Sequence, residues 1–467
     1  MTKWDRRNMI KALGMAAALP LMPTNAKAGN DMSLQLPDTQ KSDKLKKPIS
    51  AIIIGAGSRG WLAYGQYAAS HQDEIKIVGV AEPIPYRRER VAKTFNIPKD
   101  RQFTTWEHVF EQAKFADALI IATPDHLHYG PAMAGLNQGY DMLLEKAIAQ
   151  TWEECNDILE LAVEKNAIVA ICHVLRYTPY FRKMKQIIDS GEIGDVVSVQ
   201  HLEPVARIHM SHSFVRGNWG NSQKSTPMIL SKSCHDTDIL RWLIGKSCKR
   251  VSSFGSLSLF KERNAPKGST SRCTDGCAVE RNCPFSAIKI YKEWRNWGQH
   301  FNFDLRSASD ETILNELRTG PYGRCVYRCD NNVVDHQVSN FEFEDDVTLS
   351  FSMEAHTHYG HRRTRIFGTM GDVYGDMNEL VHYNAITRKK RTWDASKLSV
   401  DENAAFHGHG GGDYWLMYDF VRAVAYQDPK RLTSTIQASM ESHLMGFMAE
   451  ESRLKNGQVM DVNLKVR

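Results

Sequence analysis

"ISAIIIGAGSRG" (residues 49–60) decides how the rest of the chain is read. Four of its first six residues are isoleucine, a β-branched run suited to a buried strand. The strand leads directly into Gly55, Gly57 and Gly60 in the spacing G-x-G-x-x-G, with Ser58 and Arg59 inside the turn. In that spacing the first glycine allows a tight turn and the second lets a pyrophosphate approach the backbone. The third lets the next helix pack on the strand, with its N-terminal amides facing the phosphates. A second strand, "EIKIVGVAE" (74–82), ends in Glu82, an acid placed to bond ribose hydroxyls, which favours NAD. Arg87 and Arg88 lie just beyond; they could receive the 2′-phosphate of NADP or form a solvated helix face. Strand, turn and acid together make a dinucleotide site a better reading than a plain turn.

Moving outward, strands alternate with helices. "YRRERVAKTF", "HYGPAMAGLNQG" and "TWEECNDILELAVEK" read as helices between the strands "ADALIIAT", "YDMLLEK" and "AIVAIC". Alternation of this kind predicts an α/β domain with a doubly wound parallel sheet over residues 49–172. From about Val197 the pattern changes. "DVVSVQHLE", "RVSSFGSLSLF", "VVDHQVSNFEFEDDVTLSFSMEA" and "RTRIFGTMGDVYGD" are strand-like runs separated by turn residues. They predict a second α/β domain over 173–467 with a large, mostly antiparallel open sheet, closing in two helices after Asp413 and Ser434.

With 467 residues and 42% hydrophobic content the chain can bury more than one core. Its net charge of +5 is dispersed, without basic blocks interleaved with aromatics, which argues against nucleic acid as a partner. No run is apolar for long enough to span a bilayer. Residues 1–28 are different in kind. Arg6 and Arg7 precede a short apolar stretch that ends in Ala26-Lys27-Ala28, the form of a twin-arginine export signal. Residues 29–48 are polar and aperiodic and read as a linker. The expectation is a periplasmic protein, handed to the twin-arginine export machinery already folded, with its cofactor tightly bound.

The stretch "ATPDHLHYGPAMAGLNQGYDMLLEKAIAQT" (122–151) carries a family likeness. Thr123 and Pro124 follow one strand, with His128 soon after, and Glu145-Lys146-Ala147 ends the next. The pattern resembles the glucose–fructose oxidoreductase / inositol dehydrogenase (Gfo/Idh/MocA) family. "RYTPYFRKMKQIIDSGEIG", "HDTDILRWLIG", "IFGTMGDVYGD" and "HGGGDYWLMYDFVRAV" extend the likeness over nearly the whole chain after residue 48. The family's Glu-Lys-Pro is Glu-Lys-Ala here; alanine prefers a trans bond, because a non-proline cis bond costs about 2.5–4 kcal/mol.

The resemblance implies a Rossmann domain joined to a substrate domain, and hydride exchange between NAD(P) and a sugar, sugar derivative or cyclitol. It places Thr123, Pro124, His128 and Glu145 beside the cofactor, Lys146 and His235 at the proton-transfer step, and Asp238 as a guide for the imidazole. Oxidation of a carbinol needs a base near the nicotinamide and donors for the oxygen, which these residue types supply. Where many members carry an aspartate four residues before the histidine, this chain has Ser231, followed by Lys232 as a substitute charge or substrate contact. Arg176 and Tyr177 in the interdomain segment, His212, Arg216 and Trp219 in "RIHMSHSFVRGNW", and His409 and Tyr414 in "HGHGGGDYW" are candidate substrate contacts. Two alternatives to a dehydrogenase stand: an NAD-dependent glycoside hydrolase acting through transient C3 oxidation and elimination, and a non-catalytic sugar-binding relative. A homodimer or homotetramer is a family-level expectation.

Five of the nine cysteines fall in "RCTDGCAVERNCPF" (272–285) and "RCVYRC" (324–329). In an exported chain these suggest disulfides or structural thiols; a zinc or iron–sulfur centre is the other reading.

Overall fold

The computed structural model describes residues 44–398 and 408–464. The expected export signal and most of the 29–48 linker lie outside the described residues.

Strands β1 (Ile49–Ile54), β2 (Ile75–Ala81), β3 (Gln102–Phe103), β4 (Ala118–Ile121), β5 (Asp141–Leu144) and β6 (Val169–Ile171) form a parallel sheet in the order β3-β2-β1-β4-β5-β6. The order runs outward in both directions from β1, so the turn after β1 lies where the sheet reverses direction and where such sheets bind ligands. The period of two along β1 explains its isoleucines. Ile49, Ala51 and Ile53 enter one core; Ile52 and Ile54 enter the core on the opposite face. One face is covered by the helices Tyr129–Asn137 and Trp152–Glu164. The other is covered by a helix from far along the chain, Gly412–Tyr426, through Leu416, Met417, Phe420 and Val421.

The second sheet has nine strands: β7 (Val196–Pro204), β8 (Cys248–Ser256), β9 (His336–Phe343), β10 (Thr348–Glu354), β11 (Arg363–Gly368), β12 (Gly371–Gly375), β13 (Glu379–Asn384), β14 (Lys389–Asp394) and β15 (Met460–Asp461). Their order is β14-β13-β12-β11-β7-β10-β9-β8-β15, antiparallel throughout except for the β7–β10 pair. The expected architecture is therefore present. Strands such as β9 and β10 alternate buried and exposed residues, so one face is left for helices. The helices Pro179–Asp189, Cys234–Ile244 and Ile436–Leu454 fill that face, with Phe181, Met184, Ile239, Leu240, Leu243 and Leu444 against Leu349 and Phe351. Each such side chain contributes about 1.5–3 kcal/mol on burial. The segment between β8 and β9 is a body of short helices with its own small core, including Ile290, Tyr291, Phe301, Ile313 and Leu317. Among the described residues no helix is long and apolar enough to cross a membrane.

Candidate active site

The turn after β1 has the shape the glycines predict. Gly55 has φ +91°, and a Cβ there would stand 2.7 Å from the carbonyl carbon of Ala122. A Cβ at Gly60 would strike the Gly55 carbonyl oxygen at 1.9 Å. At Gly57 a Cβ would meet only Arg87 Nη1, at 3.6 Å, so the backbone there is open to a ligand. The helix that follows is a wide π-helical stretch, Ser58–Gly65, and becomes α-helical from Gln66. Glu82 accepts from the amides of Ala56 (2.8 Å) and Ile84 (3.0 Å), which fixes the acid at the rim of the turn. Arg88 donates to the Glu82 carbonyl and Arg87 to that of His300. The open glycine and the fixed acid fit a dinucleotide.

Arg59 does not point its side chain at that ligand position. Its guanidinium pairs with Glu145 (2.6 Å) and with Asp413 (2.7 Å) and donates to the Tyr64 hydroxyl (2.8 Å). The Tyr64 hydroxyl also donates to Glu145. Burial pushes the Glu145 carboxyl up, but the charges of Arg59 and Lys146 outweigh it and hold the group below its ordinary value. Asp413 is likewise driven far down, by Arg59 and then His409, against the effect of burial. His409 faces Asp413 at 3.2 Å. One arginine thus joins the glycine turn, the end of β5 and the start of the 412–426 helix.

Lys146 follows Glu145 at the end of β5. The Lys146–Ala147 peptide is cis, which corrects the trans bond expected for alanine. The ammonium donates to the Ser231 carbonyl at 2.5 Å and stands 5.8 Å from the centre of the Trp219 ring. Ser231 fills the family's aspartate position with a backbone oxygen, its own hydroxyl being turned to the Pro227 carbonyl. His235 is on the first turn of the Cys234–Ile244 helix, with Nδ1 buried and unbonded and its ring 5.9 Å from that of His409. Burial, then the charges of Lys146 and His409, hold its imidazole well below 6.5, so it is neutral. Burial acts the same way on His209, with Lys232 the next cause, and the charges of Lys146 and His409 also reach it, so His209 belongs to this cluster.

Lys232 is held by Glu203 at 3.0 Å. Glu203 also pairs with Arg362 (3.0 Å), which pairs with Asp236 (2.5 Å), which meets His201 Nε2 at 3.0 Å. Asp236, assigned no role from the sequence, thus ties His201 to Arg362 in a charge network that reaches Lys232 through Glu203. Asp125 was missed as well: it accepts from Trp219 Nε1 (2.8 Å) and Thr226 (2.8 Å), fixing the wall that carries Trp219 to the turn after β4.

Several expected contacts serve the scaffold instead. Asp238 does not reach His235; it is fully buried and receives a two-pronged pair from Arg176, at 2.7 and 2.6 Å, and the Ser442 hydroxyl. That pair removes both Asp238 and Arg176 from the cleft, and Arg176 further donates to the carbonyls of Thr433 and Ala438. The Tyr177 hydroxyl meets Ser434 Oγ and the amides of Thr433 and Ser434. Tyr414 packs edge-on against Tyr67 beside the parallel sheet. His212 is buried between the rings of Trp297 and Tyr322, with Nδ1 on the Tyr291 hydroxyl, and burial pushes its imidazole down to about 2. Arg216 is buried among cysteines. His128 is a clamp, its ring nitrogens on the carbonyls of Ala147 (2.6 Å) and Thr123 (2.9 Å); Thr123 and Pro124 form the turn it holds. None of the nine cysteines is joined in a disulfide, which leaves the structural thiols and the metal centre of the two sequence readings. Asp335, His336 and His356 bring ligand atoms together, yet the Asp335 carboxylate already accepts from Ser258 and Leu259 amides.

Known proteins share this fold. Residues 49–173 match the model of an oxidoreductase family with an NAD-binding Rossmann fold, and residues 185–460 match that family's C-terminal α/β domain. The Bacillus subtilis (strain 168) protein YteT is 25% identical over 333 residues, 68% of this chain and 73% of its own. An inositol dehydrogenase homologue from Azotobacter vinelandii, solved with NADH and myo-inositol, superposes with a TM-score of 0.62 at 15% identity, over 90% of this chain and 99% of that one. A levoglucosan dehydrogenase solved with NADH and levoglucosan superposes at 0.64 and 18% identity, over 89% and 100%. With both of its domains matched, the chain belongs to the Gfo/Idh/MocA oxidoreductase family and is built to bind NAD.

Proposed function

We propose that this protein is an NAD-dependent dehydrogenase that oxidises a secondary hydroxyl of a sugar or cyclitol and reduces the ketone in reverse. The observation that carries the reading is the meeting of Lys146, His235 and His409 beside the glycine turn, with the His235 and His409 rings 5.9 Å apart. NAD supplies the hydride acceptor when bound. The neutral His235 imidazole takes the hydroxyl proton as the hydride departs, and the Lys146 ammonium stabilises the developing charge on oxygen. Lys232, Arg362 and His209 offer donors to the remaining hydroxyls, and the Trp219 ring offers a face to the C–H surface of a ring substrate.

The test is to incubate the purified protein with NAD and a panel of inositols, aldoses and anhydrosugars and to follow reduced nicotinamide. Bound NAD with no reduction by any member would overturn the reading. Cleavage of aryl glycosides without net reduction would move it to hydrolysis by transient oxidation.

We further propose that residues 1–28 direct twin-arginine export, on the strength of Arg6-Arg7 and the Ala26-Lys27-Ala28 end. Replacing both arginines by lysine then retains the protein in the cytoplasmic fraction.

A further inference from the structure

Against the body between β8 and β9 packs a buried charge, Arg216 from the segment between β7 and β8, that no carboxylate among the described residues answers. Arg216 is only 1% exposed. Its Nε and Nη2 donate to the carbonyls of Arg324 and Phe285, each at 2.7 Å, and its Nη1 is buried without a hydrogen-bond partner. A guanidinium removed from water without an anion costs several kcal/mol. What faces it is sulfur. Nη2 lies 3.9 Å from Cys273 Sγ, and Cys273, Cys277, Cys283 and Cys325 line one cavity together with Arg216. The amide of Ala287 also points at Cys273 Sγ, at 3.4 Å, as amides do toward a thiolate.

The arrangement limits what can sit there. None of the thiols is paired in a disulfide. Among the described residues no three of these sulfurs lie within 4.8 Å of one another. A single tetrahedral zinc, with Zn–S bonds of about 2.3 Å, would draw its four sulfurs closer than that, to ~3.8 Å. Four cysteines set further apart around one cavity suit a cluster in which the ligands bind different irons. Cys329 does not line that cavity, and its thiol is turned to the Cys325 carbonyl at 3.3 Å.

We propose that Cys273, Cys277, Cys283 and Cys325 hold an iron–sulfur cluster, with Arg216 as its buried counter-charge. Each S–H loses its proton to solvent as an S–Fe bond forms, and the resulting anionic centre supplies the charge that Arg216 lacks. The cluster is a structural anchor. Arg216 lies three residues before Trp219, whose indole is bonded to Asp125 and lies over Lys146, so the centre fixes one wall of the cleft.

The experiment is anaerobic purification of the full chain, followed by assay of iron, zinc and acid-labile sulfide and by visible absorption. Equimolar iron and sulfide, with a broad charge-transfer band, is the expected result. Cys283→Ser should lose the iron and Cys329→Ser should keep it. If Cys283→Ser does not fold, chelation of the wild-type protein under reductant should release the iron and render four further thiols reactive. Stoichiometric zinc without iron overturns the cluster. Protein without metal, whether its thiols are all reactive or joined in disulfides, overturns the site.

Discussion

The Lys146 ammonium donates to the Ser231 carbonyl at 2.5 Å. This contact spans the two domains: Lys146 ends β5 of the parallel sheet, and Ser231 precedes the helix that carries His235. A backbone acceptor fixes the direction of the ammonium and adds no formal charge of its own. The ammonium charge helps keep His235 neutral and remains available to a developing alkoxide.

Lys146→Ala should therefore lower kcat by about 100- to 10,000-fold, the range for a lost acid–base or electrostatic group, while cofactor affinity changes little. Lys146→Arg should not rescue it, since a planar guanidinium cannot replace a compact ammonium in that pocket. Steady-state kinetics with NAD titrations checks both. Wild-type kcat in Lys146→Ala would remove this residue from the mechanism.

Asp413 is the partner that Arg59 reaches furthest along the chain, 354 positions away. Its side chain is 3% exposed against 28% for that of Arg59. Asp413→Ala leaves Arg59 one acid instead of two and releases His409. A broken buried pair costs 3–5 kcal/mol; with Glu145 still in place, a loss of about 2–3 kcal/mol is expected. KM for NAD should rise at the same time, because the turn that carries Gly55 to Gly60 loses its outer anchor. Chemical denaturation and cofactor titration measure the two effects.

Stability should fall with acid from an unusually high pH. Burial pushes His212 down to about 2, His443 to about 3 and His300 to about 4. Each folded-state value is depressed, so below 6.5 the unfolded chain binds protons that the folded chain refuses. The stabilisation is complete above 6.5 and is lost as pH falls, at roughly 1.4 kcal/mol per pH unit for each group until its folded-state value is reached. A melting temperature that stays flat from pH 7 to 5 would show that these rings are protonated in the folded state.

The cofactor half of the site was readable because its information is local. The isoleucines of β1, the glycines and Glu82 lie within 34 residues, and turn chemistry dictates their roles. The substrate half depends on which face of a helix meets which neighbour. Asp236 and Asp238 look equivalent in "CHDTD", yet Asp236 faces Arg362 across the cleft and Asp238 faces Arg176 in the core. Arg176, Tyr177 and Tyr414 have the chemistry of sugar contacts, and the fold uses that same chemistry to seat backbone. Strand β14 was not legible because the edge "KKRTWD" is mostly solvated and has no apolar alternation to detect.

Lys232 offers the clearest separation of binding from chemistry. It pairs with Glu203 at 3.0 Å, and Glu203 is also held by Arg362 at 3.0 Å. Removing the lysine therefore leaves the acid paired, and Lys232→Ala should fold with wild-type stability. If the ammonium binds a substrate hydroxyl remote from the reacting carbon, KM rises about 10-fold or more while kcat holds, the signature of lost uniform binding. Arg362→Ala differs, because it takes one cation from two buried acids at once, leaving Glu203 to Lys232 and Asp236 to His201, and should destabilise the network by about 3–5 kcal/mol. A fall in kcat without a change in KM for Lys232→Ala would instead make it a proton-transfer group beside His235, and the pH–rate profile of the variant would then lose one limb.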